Sequence, residues 1–203
     1  MAGLASGAPL PERSALVADP QFQEMGQRSR VLTQKILNSI PDTHKSCIHT
    51  QTLRLDSAEN SKLATMASII GIPPAPVLRA VSENFTLETN LTRMSEGLQL
   101  HWALLNSVSP LLQNVDKVTE LMADVRDLSI QINKMLKMAQ TEDLVQPSPT
   151  SLTLRLPGDY EAQVAAHLTL VQLQSFGRTW SAASGGWTRA TTTTQRADQQ
   201  VLH

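Results

Sequence analysis

An all-α fold is predicted by three features of this sequence. Apolar residues recur at three- and four-residue spacing in four long segments, which is the period of one helix face. Aromatic residues make up only 3% of the chain against 41% hydrophobic residues in all, so the interior is aliphatic and suits packed helices better than sheets. The connections between the segments are one short and two long, a pattern that dictates how the helices run. At 203 residues the length fits one domain with a sizeable core.

The first segment, Asp19 to Ile40, places Phe22, Met25, Leu32 and Ile36 on one face. Asp19 followed by Pro20 is a good cap with a first-turn proline, and Pro41 is expected to end the helix. The second follows Pro76, with Val77, Val81, Leu91, Met94, Leu98, Trp102 and Leu105 on its stripe, and stops before Ser109-Pro110. In the third, Leu111, Val115, Val118, Met122, Val125, Leu128, Ile132 and Met135 keep a stripe for about thirty residues, or ~45 Å at 1.5 Å per residue. The fourth starts after Leu156-Pro157-Gly158, carries Tyr160, Val164, Leu168 and Val171, and is expected to reach Phe176.

Only Asn106 to Pro110 separates the second and third helices, which forces them antiparallel. About thirty-five residues precede the second helix, and about sixteen, from Thr141 to Gly158, precede the fourth, enough to reach ~50 Å when extended. Two long crossover loops around one short link describe an up-up-down-down four-helix bundle. A small packed helix at Leu63 to Ile70 is expected inside the first crossover. Residues 1–18 read as a flexible N-terminus or leader remnant, 19–176 as the four-helix domain and 177–203, rich in Gly, Ser and Thr, as a disordered tail.

Composition also excludes function classes. Seventeen basic against 18 acidic residues give a net charge of -1, so the chain lacks the basic field that nucleic-acid or acidic-membrane binding requires. No apolar run approaches the ~20 residues that span a bilayer, and no membrane insertion is expected. Cys47, the single cysteine, excludes an intramolecular disulfide and a multi-cysteine zinc site; beside His44 and Lys45 it reads as a free loop thiol. His44 and His49 read as loop residues, while His101 and His167 lie beside core positions and read as hydrogen-bonded core histidines. With no glycine-rich phosphate loop, no G-x-S-x-G and no close metal spacing, neither catalysis nor a cofactor nor a metal is expected. Two N-glycosylation sequons begin at Asn84 and Asn90 and, if used, must face solvent.

One set of blocks carries a resemblance. Ile70-Gly71-Ile72-Pro73-Pro74-Ala75-Pro76-Val77-Leu78 resembles the LGIPWAPL stretch of the granulocyte colony-stimulating factor family. In the same order, Ser95-Glu96-Gly97-Leu98-Gln99-Leu100, Ala103-Leu104-Leu105 and Val108-Ser109-Pro110 resemble that family's second helix and the turn after it. Asp124-Val125-Arg126-Asp127-Leu128 resembles its D-V-A-D-F, and His167-Leu168 with Leu173-Gln174-Ser175-Phe176 its HLQSF. Together with Ile40 to Cys47, the blocks are most similar to the bony-fish form and extend from Pro9 to Phe176.

The resemblance implies a secreted long-chain helical cytokine, monomeric until it binds and dimerises a type I cytokine receptor, that promotes granulocyte proliferation and survival. It also implies a receptor face built from the first and third helices. By position these residues are Gln21, Glu24 and Arg28 on the first and Asp124 and Asp127 on the third; three-residue spacing puts the last two on one side of a helix. Without the resemblance, those carboxylates are an ordinary solvated face. The chain departs from the family at Leu37, which stands where a cysteine partner for Cys47 is expected, and at Thr50-Gln51-Thr52, where a second acidic contact is missing. Met1 to Leu10 lacks the basic and apolar parts of an intact leader, and the change after Phe176 resembles read-through or a frame change. A free cysteine and the lack of an intact leader also suit an intracellular helical adaptor or scaffold.

Overall fold

The computed structural model describes residues 11–81, 86–140 and 152–198, with side chains for 15–81, 86–140 and 152–185. These residues form an all-helical bundle: α1 (Pro11–Ala18), α2 (Pro20–Cys47), α3 (Ala64–Ile70), α4 (Leu87–Val108), α5 (Asp116–Ala139) and α6 (Asp159–Asp198). Short 3-10 turns precede α3 (Ala58–Leu63) and follow α4 (Ser109–Leu111). Among the described residues no strand occurs, and no helix is long and apolar enough to cross a membrane.

Helix α2 starts as its sequence dictates. The Asp19 carboxylate accepts from the amides of Gln21 (2.8 Å) and Phe22 (3.0 Å), and Pro20 occupies the first turn, where no amide donor is needed. Its buried line is Phe22, Met25, Ser29, Thr33, Ile36, Ile40, Thr43 and Cys47. Polar residues can stand in that line because their hydroxyls turn back onto the helix: Ser29 donates to the Met25 carbonyl (2.8 Å) and Thr33 to that of Ser29 (2.7 Å). Leu32, expected on the stripe, only flanks the core.

Three expected boundaries are corrected. Pro41 does not end α2, which runs on to Cys47. An interior proline costs about 3 kcal/mol, but its ring lies on the exposed side, and burying Ile40 and Cys47 offsets that cost at about 1.5–3 kcal/mol for each large apolar group. Helix α4 begins at Leu87 under a Thr86 cap, not after Pro76; through Pro73, Pro74 and Pro76 the chain is non-helical, and Val77 is 58% exposed. Helix α5 begins at Asp116, after a turn in which Asn114 takes the left-handed φ of 55°, so Leu111 is left outside it and exposed. From Val118 onward the α5 stripe matches the expected one, with Leu121 buried in place of Met122.

The largest correction concerns α6, which continues past Phe176 to Asp198, with α1 likewise formed inside the segment read as flexible. Trp180 is 1% exposed and belongs to the core, and Ser184 is buried, its carbonyl accepting from Arg30 on α2 (3.1 Å). Gly and Ser are weak helix formers, but burial of a tryptophan outweighs their propensity.

Four helix pairs enclose the core: α2 with α5, α4 with α5, α2 with α6 and α4 with α6. In each, contacting residues run in opposite order. Ser29 meets Met135 and Lys35 meets Asp124; Arg30 meets Ser184, Leu37 meets Gly177 and His44 meets His167. On α4, Ser95 bonds Asn133, and Trp102 borders the same groove as Arg126; Gly97 meets Phe176 and His101 meets Gln172. Gly97 is required by close approach, since a Cβ there would lie 2.1 Å from the Phe176 ring. The two long connections touch where the Arg155 amide donates to the Ile70 carbonyl (2.8 Å), just before Gly71 ends α3 at a left-handed φ of 93°.

Candidate functional site

An exposed stripe runs the length of α2. Gln21, Glu24, Arg28, Val31, Lys35, Asn38 and Asp42 alternate three- and four-residue steps and are all exposed, on the side of the helix away from its buried line. The three residues expected from sequence on this helix therefore share one face, and Lys35 and Asp42, which sequence reasoning passed over, extend it. Their spacing from Arg28 was the available signal. Glu24 and Arg28 pair at 2.6 Å, each 62% exposed, an i,i+4 pair in the orientation that helices favour.

Asp127 of α5 is exposed, as expected. Asp124 is not a free carboxylate: it is 8% exposed and sits between α2 and α5, where Lys35 donates to its Oδ1 at 2.6 Å. The hydrogen bond from Lys35 and the Asp124 charge raise the Lys35 pKa above its ordinary value, and Asp127 and Glu120 raise it further. Lys35 lies eleven residues beyond Glu24, about 16 Å along the helix. The residues of the expected face thus fall in two patches: a Glu24–Arg28 pair near the start of α2, and a mixed patch of Lys35, Asp42, Lys117, Glu120 and Asp127 around the covered Asp124. Lys35, Asp42, Lys117 and Glu120 line a shallow hollow there. Such a surface can recognise a protein of matching charge, with the ammonium of Lys35 held in place by Asp124.

Of the sequons, Asn84 lies outside the described residues. Asn90 is 0% exposed, and its amide is used up on the backbone of Arg79, donating to the carbonyl (2.9 Å) and accepting from the amide (3.4 Å). This clasp ties the proline-rich stretch to the first turn of α4 and leaves no room for a glycan in the folded chain, so the expectation at Asn90 is corrected.

The remaining chemistry lies between α2 and α6. Because α2 passes Pro41, His44 is a helix residue and not a loop residue; its Nε2 lies 2.9 Å from Nδ1 of the buried His167, whose Nε2 lies 2.8 Å from the Asn60 oxygen. Burial lowers the pKa of His44 and, with a smaller contribution from His44, takes that of His167 down to about 4. His101, fully buried with Nδ1 2.6 Å from the Gly97 carbonyl, is also pushed down to about 4 by burial. Cys47 is buried at the end of α2, and burial pushes its thiol up to about 11, so the expectation of a loop thiol is corrected to an inert core group. His49 is exposed just beyond α2. Among the described residues no group of three or more His, Cys, Asp or Glu is arranged to hold a metal ion.

Against known proteins, no family model matches the chain, and no curated protein matches it.

Proposed function

We propose that this chain is a secreted helical cytokine of the granulocyte colony-stimulating factor kind, which binds and dimerises a type I cytokine receptor and so promotes granulocyte proliferation, differentiation and survival. One observation supports the proposal: the four sequence blocks that resemble that family fall on three long helices of the bundle and on the stretch that follows α3. Ile70–Leu78 lies at the end of α3 and the stretch after it, Ser95–Pro110 on α4 and its turn, Asp124–Leu128 in the middle of α5 and His167–Phe176 on α6. The opposite residue order in all four helix pairs supports an up-up-down-down bundle, with α2 parallel to α4, α5 parallel to α6 and two long crossovers between them.

In this proposal the receptor meets the outer face of α2 and α5. Gln21, Glu24, Arg28, Lys35 and Asp127 supply the charges, Val31 an apolar contact at 60% exposure, and Asp124 acts by holding Lys35. No covalent chemistry is involved, and the free chain is a monomer. The test is binding to the ectodomain of a granulocyte colony-stimulating factor receptor, with proliferation of receptor-bearing cells as the second readout. Asp127→Ala combined with Glu24→Ala should weaken binding by about 1–3 kcal/mol at unchanged helicity, and association should slow as salt rises. Absence of saturable binding by the folded wild-type chain overturns the proposal.

A further inference from the structure

Asn60 fixes the protons of two histidines. Its amide nitrogen donates to the carbonyls of Arg54 (3.1 Å) and Leu55 (3.0 Å), so the group it presents to His167 is its oxygen. An amide oxygen only accepts, hence His167 Nε2 carries the hydrogen and His167 Nδ1 is bare. The bare nitrogen must then accept from Nε2–H of His44 at 2.9 Å. The result is a one-way chain from α2 through α6 to the turn that carries the first crossover: His44 donates to His167, His167 to Asn60 and Asn60 to the Arg54–Leu55 backbone.

Two bare nitrogens remain in this chain, and acid acts on both. A proton on His44 Nδ1 leaves every bond intact. A single proton on His167 Nδ1 is also tolerated, since neutral His44 can carry its hydrogen on Nδ1 and accept at Nε2; once both rings are charged, two N–H groups face each other at 2.9 Å and cannot coexist. We propose that His44, His167 and Asn60 form an acid-released latch, which holds the first crossover against α2 and α6 and frees the turn from Arg54 to Asn60 when both rings are protonated.

Among the described residues, no carboxylate acts on the His167 ring. On α2, Asp42 faces Lys117 and Glu120 of α5 across the hollow described above, and Lys45 is exposed. In the 3-10 turn Glu59 is paired with Lys62 at 2.8 Å, and just before it Arg54 and Asp56 are exposed. Helix α3 carries no titratable residue; on α6, Asp159 and Glu161 lie in the first turn, and the neutral Gln163 is the group bonded to the crossover. The electrostatic influence on His167 comes from His44, and burial is what lowers both. A depressed histidine binds fewer protons in the folded state, so the latch is closed above the ordinary histidine range near 6.5 and opens as pH falls toward about 4.

A second clasp confines the movement. Gln163 Oε1 accepts from the amides of His49 (3.2 Å) and Thr50 (3.0 Å), and this contact has nothing to titrate. Release therefore frees the chain beyond Thr50 while His49 and Thr50 stay on α6. The Ser57 and Asn60 amides, bonded to the carbonyls of Arg54 and Ser57, report it.

The test is amide hydrogen exchange on the full chain from pH 7 to pH 4, corrected for the intrinsic pH dependence of exchange. Protection at Ser57 and Asn60 should fall by at least about tenfold per pH unit, the slope of one or more protons taken up on opening, and at a higher pH than that of Thr50 and the amides of α2 and α6, whose loss follows overall stability. His167→Gln, whose amide can accept from His44 and donate to Asn60 without titrating, should flatten that slope. Nitrogen chemical shifts of the wild-type rings at pH 7 should show the Nε2–H tautomer of His167. A pH-independent turn, a loss at the turn no greater than that of α2 and α6, an undiminished slope in His167→Gln or an Nδ1–H tautomer at His167 would each overturn the latch.

Discussion

Helices α5 and α6 each pack against both α2 and α4, yet they do so by different means. Helix α5 presents an aliphatic line, Val118, Leu121, Val125, Leu128, Ile132 and Met135, and leaves its polar contacts at the edges, where Asp124 meets Lys35 and Asn133 meets Ser95. Helix α6 comes close through small residues and carries its polar groups inward: Gly177 lies against Leu37, Phe176 against Gly97, His167 against His44 and Gln172 against His101. The first kind of seam depends on buried area, which is indifferent to pH and tolerant of shape. The second depends on close fit and on histidines remaining neutral, so it is the seam that a single substitution or a proton can open.

The largest effect is expected where α6 places its bulkiest side chain. Trp180→Ala removes a fully buried indole and should cost about 3–5 kcal/mol. Ending the chain after Phe176 should lower the melting temperature for the same reason. Thermal unfolding followed by circular dichroism checks both; a melting temperature unchanged by either would mean that α6 needs nothing beyond Phe176, as a disordered tail would require.

Acid should separate the two helices next. His101 is depressed to about 4 from an ordinary value near 6.5, so the unfolded chain binds its proton first, and stability falls as pH drops through that interval. At 1.36 kcal/mol per unit the full loss from this one group is on the order of 3 kcal/mol. Urea unfolding at pH 7 and pH 4.5 measures it, and His101→Gln should make the two curves closer. Equal loss in that variant would place the acid sensitivity elsewhere.

The same contrast explains what could be read from the sequence. An aliphatic stripe at helical spacing is legible, and so α5 from Val118 to Met135 and the start of α2 at Asp19-Pro20 matched expectation. The later part of α6 was not, because Gly177, Trp180 and Ser184 continue the period with one large apolar residue among small and polar ones. Pro41 and the prolines before α4 misled in opposite directions: the first is tolerated because packing on both sides overrides it, while the others hold the chain out of helix. Misplacing the end of α2 also hid the histidine chain, since His44 reaches α6 only as part of a helix. At the candidate face, the resemblance pointed to Asp124 and Asp127 and spacing put them on one side of a helix, but the covering of Asp124 depends on Lys35, 89 residues earlier, a contact that no local pattern shows.

Close fit between α4 and α6 gives an intermediate effect. Gly97→Ala puts a methyl group 2.1 Å from the Phe176 ring, which must move, at a cost of about 1–3 kcal/mol. Phe176→Leu alone should also destabilise by leaving a void. The double substitution should cost less than the sum, since the smaller side chain makes room for the methyl; strict additivity in the cycle would show that the two positions do not share the contact.

The smallest effect tests the edge of α5, and its sign pattern is informative. Lys35 has a side chain 61% exposed and Asp124 one of 11%, so the two ends of this pair are not equivalent. Asp124→Asn leaves Lys35 in water with a carbonyl oxygen still able to accept from it, and should change stability by under about 1 kcal/mol. Lys35→Met leaves a nearly buried carboxylate without its ammonium, and an unsatisfied buried group is costlier than a lost surface bond. Chemical denaturation of the two variants at one pH should therefore rank Lys35→Met below Asp124→Asn. If the order is reversed, Asp124 is solvated well enough to stand alone, and α5 has at its α2 edge a free carboxylate of the kind that its sequence first suggested.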